Sequence, residues 1–124
     1  MTMWTGLFSL AALVNLAVGI GMAVTPAEVA VQLGVTGPGA PYVVTLSGLM
    51  IAVFGVGYAF VARDVTRNRG IVWLGVIGKF GAAALATFCF TQGLIPQSTF
   101  TMGMGDALLA ALFALFLWRG PRAA

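Results

Sequence analysis

Four stretches of this 124-residue chain run almost without charge for close to the ~20 residues that a helix needs to cross ~30 Å of hydrocarbon. They cover residues 4–24, 41–62, 71–92 and 100–118. Hydrocarbon offers no water to backbone N–H and C=O groups, so each stretch must bond internally as a helix; four strands could not close a barrel. Composition leads to the same class. The chain is 60% hydrophobic and 7% charged, where a soluble domain is about half apolar and about a quarter charged. A soluble chain this short leaves much of its surface in water, so the bilayer must be the apolar solvent. The expected fold is all-α: an integral membrane four-helix antiparallel bundle, one domain over residues 1–124.

The arginines predict how the chain is threaded. Arg63, Arg67 and Arg69 lie in the second connection, and Arg119 and Arg122 follow the last span. The first and third connections contain no Lys or Arg. By the positive-inside rule, the second connection and both termini face the cytoplasm. Trp4, Trp73 and Trp118 fall at the same ends of their spans, as an aromatic belt does. The first span is not expected to be a cleaved signal peptide, because no basic segment precedes it and its apolar run is long.

Several function classes are excluded by what the chain lacks. The net charge is +3, but six basic residues, five of them at span ends, form no nucleic-acid patch. They suit topology and anionic lipid head groups. Histidine is absent, which removes bis-His haem ligation, the commonest zinc ligand and the usual general base near neutral pH. Cys89 is the single cysteine, so no intrachain disulfide or CxxC pair is possible, and it reads as a small buried hydrophobe. No metal site and no resident cofactor is expected, although a bound lipid or quinone would be compatible.

The first connection has structure of its own. Thr25, Pro26, Ala27 and Glu28 form a capping box with Pro at the first helical position. A short interfacial helix is predicted from Pro26 to Leu33, ended by Gly34, with GPGAP turning into the second span. Each long span also carries small residues that would let helix backbones approach. These are Ala11, Asn15, Gly19 and Ala23; Gly48, Ala52, Gly55 and Ala59; Gly75, Gly78, Ala82 and Ala86; and Gly103, Ala107, Ala110 and Ala114. They serve packing within the chain or a seam between copies of it.

Lys79 and Asp106 are the only charges inside the spans. A charge at the bilayer centre costs roughly 2.5–3.5 kcal/mol on insertion scales, so it usually faces a partner, cavity or water. Measured from the tryptophan belt, Lys79 lies about 9 Å deep, Tyr58 about 7.5 Å, Asn15 about 16 Å and Asp106 about 18 Å. Side chains lean toward the helix N-terminus, which moves Lys79 and Asp106 apart. A direct pair would need tilt, a bridging water or Asn15. Otherwise Lys79 snorkels to the interface and a protonated Asp106 bonds Asn15. Asn15, Tyr58, Lys79 and Asp106 are therefore the candidate polar core. Arg63 with Asp64 reads as a loop-fixing pair, beside Arg67 and Arg69.

The order GYAFVARD, NR, WLGVIGK and GD, from the second span onward, resembles small bacterial membrane proteins of the broad DoxX-like type. The matching positions are Arg63, Asp64, Lys79, Gly105 and Asp106. The resemblance implies a four-helix bundle in the bacterial inner membrane. It also implies an accessory subunit of a quinone-linked membrane oxidoreductase, or an assembly helper. The expected function is a non-catalytic membrane protein that binds a lipid-like or quinone-like ligand or a partner subunit, and is a homo-oligomer or part of a complex. The alternative is a homo-oligomeric transporter or channel using Lys79 and Asp106. An enzyme would have only Tyr58, Lys79 and Asp106 to draw on.

Overall fold

The computed structural model describes residues 2–123. Every regular element among them is helical: α1 (Met3–Val24), α2 (Pro26–Leu33), α3 (Ala40–Arg63), α4 (Arg69–Thr91) and α5 (Gln97–Arg119). Four of them, all but α2, are long and apolar enough to cross a membrane. The chain is thus an all-helical, multi-pass membrane protein. It divides into two compact units, Met1–Arg63 and Asp64–Ala124.

In the first unit α1 and α3 run antiparallel and touch through small residues. A Cβ added to Gly19 would lie 2.5 Å from the Gly48 carbonyl oxygen, and one on Gly48 would lie 2.6 Å from the Gly19 oxygen. Backbone therefore meets backbone at this crossing, and glycine is required on both sides. Further along, Gly55 receives Leu16 and Asn15. The Asn15 Nδ2 donates to the Ile51 carbonyl at 3.1 Å, tying the two helices across the same seam. Two of the small-residue stripes thus face each other within one unit. Apolar association gives little drive inside lipid, so contact of this closeness is what holds such a pair.

The short helix α2 has the predicted bounds. Its Ala30 is buried with Ala40 and Val44 of α3, flanked by Met22, Val29 and Val35. Gly34 caps it in the left-handed region at φ 73°, and the Val35 N–H returns to the Ala30 carbonyl, as in a Schellman ending. The capping box does not form. The Thr25 hydroxyl donates instead to the Gly21 carbonyl at 2.8 Å, and no side-chain bond caps α2. The cause is position: Thr25 also follows the last residue of α1, whose unsatisfied carbonyls compete for the hydroxyl.

The second unit is an antiparallel hairpin of α4 and α5. Gly93, at φ 70°, ends α4, with the Leu94 N–H bonded to the Cys89 carbonyl. Beyond the turn Phe90 stacks on Phe100, ring centroids 4.4 Å apart. Ala86 occupies the space a Cβ on Gly103 would need. The buried positions of α4 are Val72, Gly75, Lys79 and Ala83, spaced three and four apart on one face. Lys79 belongs to that inward face. The predicted stripe of α4 is split: Gly75 lies inside, while Gly78 and Ala82 are exposed.

Candidate functional site: an ion pair inside the α4–α5 hairpin

Lys79 Nζ lies 2.8 Å from Asp106 Oδ1, a hydrogen-bonded ion pair linking α4 to α5. The lysine side chain is 10% exposed and the aspartate 36%. The positive partner is enclosed and the negative one looks outward. Lys79 does not snorkel to the interface, and Asp106 takes Lys79 as its partner.

The tryptophans do not mark a common level on these two helices. Trp73 is the fifth residue of α4, whereas Trp118 is the last but one of α5. Actual contacts give a better register. Phe90 faces Phe100, Ala86 faces Gly103, and Arg69 reaches Leu117 and Pro121. On that register Lys79 is level with Ala110, and Asp106 is one turn further on. The axial gap shrinks from about 9 Å to about 6 Å at 1.5 Å per residue. An extended lysine covers the rest against its helical lean.

The other two candidates belong to the first unit. Asn15 is buried in the first unit and donates to Ile51. Tyr58 is buried on α3, its ring 6.2 Å from that of Phe54.

In the connection, Asp64 does not pair with Arg63. Its Oδ1 accepts from the Thr66 hydroxyl at 2.8 Å and the Thr66 N–H at 3.1 Å, while Oδ2 lies 3.4 Å from Arg67. The Thr66 hydroxyl, then its amide, hold the carboxyl below its ordinary value, with Arg67 adding to them. An acceptor two residues before a Thr closes a local turn, which wins over a neighbour on the end of a helix. Arg63 is left exposed at the end of α3.

Sequence reasoning missed the role of Arg69. It opens α4 and reaches the end of α5, donating to Pro121 O at 2.9 Å and to Leu117 O. Its guanidinium also sits 5.0 Å over the Phe116 ring. A cation at a helix C-terminus satisfies orphan carbonyls and opposes the negative end of the dipole. The only available signal was an arginine at the first position of one span facing the last turn of the next. The hairpin is thus fastened at two levels, by Arg69 at its ends and by Lys79–Asp106 within.

A carboxylate is an acceptor only, with room for several donors. Oδ1 holds the ammonium, and the exposed part of Asp106 can accept from a further group. The site can therefore hold a hydroxyl- or ammonium-bearing group, or another polar helix. Among the described residues no cluster of His, Cys, Asp or Glu could hold a metal ion. No protein-family model, curated protein or solved structure matches the chain.

Proposed function

We propose that this chain is a non-catalytic inner-membrane protein whose α4–α5 hairpin holds a lipid-like or quinone-like ligand, or a partner subunit, at the Lys79–Asp106 pair. The observation that carries this reading is the asymmetry of the pair. An ion pair in an apolar setting repays its desolvation only when its remaining lone pairs and protons are also hydrogen-bonded. Here the carboxylate side chain is 36% exposed along an otherwise apolar span. Unsatisfied acceptors are costly in hydrocarbon, so a donor belongs there: a hydroxylated lipid head group, the hydroxyl of a reduced quinone, or a polar side chain of another subunit. The DoxX-like resemblance supports the accessory-subunit form of the reading. The placement of five arginines in the second connection and after the last span supports cytoplasmic termini.

Native mass spectrometry of the gently extracted protein tests it. The expected result is a retained mass of lipid, quinone or partner size, reduced about tenfold in occupancy by Asp106→Asn, the ratio for ~1.4 kcal/mol. Helix content should be unchanged. A retained mass indifferent to Asp106→Asn would overturn the site. A ligand-free ring of copies would favour the transporter or channel, to be followed by ion flux.

A further inference from the structure

We propose that a groove between α1 and α3 binds an anionic phospholipid, with the phosphate on Arg63 and an acyl chain along the apolar floor. The site lies in the first unit and shares no residue with the Lys79–Asp106 pair, so either assignment can fail alone. Ser9, Ala12, Leu13 and Leu16 of α1, with Ala59, Ala62 and Arg63 of α3, line a shallow, open groove of about 480 Å³.

Alanine lines much of this groove, at Ala12, Ala59 and Ala62. Near Gly19 and Gly48 the backbones touch, and Leu16 fills the space at Gly55. The end toward Gly55 is apolar and lined by Leu16. The outer end carries Arg63 and the Ser9 hydroxyl, and Ser9, Leu13, Ala59 and Arg63 are all exposed.

Charge selects the occupant. Arg67 pairs with Asp64, Arg69 and Arg122 donate to carbonyls of the α5 end, and Arg119 lies over Trp118. Among the described residues, Arg63 alone of the arginines has no hydrogen bond, ion pair or ring contact. Asp64, its neighbour in sequence, is occupied by Thr66 and Arg67. An uncompensated guanidinium at the end of a membrane span sits at head-group level and suits a phosphate bidentately. One cationic end, one apolar trough and an open side match a two-part amphiphile.

The test is native mass spectrometry of the full chain in mild detergent with equal amounts of dimyristoyl phosphatidylglycerol and dimyristoyl phosphatidylcholine. The expected occupancy favours the anionic lipid by about fivefold, as one basic residue near an anionic surface provides. Arg63→Gln should bring the ratio close to one, while Arg119→Gln, an equal change of charge, should leave it intact. Ala59→Phe should fill the trough and remove adducts of both lipids. A wild-type ratio near one, an equal loss in Arg119→Gln, or adducts that survive Ala59→Phe would each overturn the proposal. So would a dimer that replaces the lipid adduct and dissociates in Arg63→Gln, because the groove would then hold a second copy.

Discussion

The two units solve the same problem in different ways. Each must keep a pair of antiparallel apolar helices together in a solvent as apolar as they are. In the first unit α1 and α3 meet with Gly19 against Gly48, close enough that no side chain fits between them. In the second, α4 and α5 are held by Lys79–Asp106 and by Arg69 on the α5 terminus, while Gly78 and Gly105 have open space where a Cβ would be. Glycine count therefore says little about packing in lipid. What matters is whether another backbone stands opposite.

The largest effect should come from removing one charge of the pair. Lys79→Met leaves a partly exposed Asp106 without its cation and should cost about 2–3 kcal/mol, between the ~0–1 kcal/mol of exposed pairs and the ~3–5 kcal/mol of fully buried ones. Unfolding in mixed micelles measures it; a loss below ~1 kcal/mol, the range of exposed pairs, would mean that the pair contributes little.

Next comes the glycine seam. Gly48→Val should destabilise by about 1–3 kcal/mol, because backbone oxygen cannot give way as a side chain can. Gly78→Ala should stay within about 0.5 kcal/mol, as surface changes do. Equal losses at the two positions would erase the distinction between the units.

The smallest effect concerns the connection. The carboxyl of Asp64 is lowered from 3.8 by Thr66 and Arg67. A lowered folded value means that the ionised form stabilises the turn. That contribution is present above the ordinary carboxylate value and disappears as pH falls through the lowered one. The Thr66 amide shift in an NMR titration should therefore move with a midpoint below 3.8. A midpoint at or above it would show that the turn does not hold the carboxylate.

Much of this was legible in the residues. Span lengths and the absence of charge gave four helices close to those observed, and Pro26 and Gly34 marked both ends of α2. These signals are local, and nothing in the fold competes with them. Where two partners contend for one group, local reading failed. Thr25 could cap α2 or end α1, and Asp64 could take Arg63 or turn to Thr66 and Arg67. The Lys79–Asp106 pair was visible as two charges in apolar runs, but its directness was not. Register depends on which residues oppose each other across the hairpin, and Phe90, Phe100 and Arg69 reveal that only once folded. The α1–α3 groove left no trace in sequence, since Ala12, Ala59 and Ala62 read the same facing lipid, a ligand or a neighbour.

The most direct measurement is a double-mutant cycle on the hairpin: Lys79→Met, Asp106→Leu and the two together, by reversible unfolding in one micelle composition. If the pair fastens α4 to α5, each single change is destabilising and the double costs less than their sum. The coupling should be about 2 kcal/mol, inside the ~0.5–3 kcal/mol range of contacting residues. Additive losses would contradict this, and would place Lys79 and Asp106 as independent groups that the hairpin tolerates.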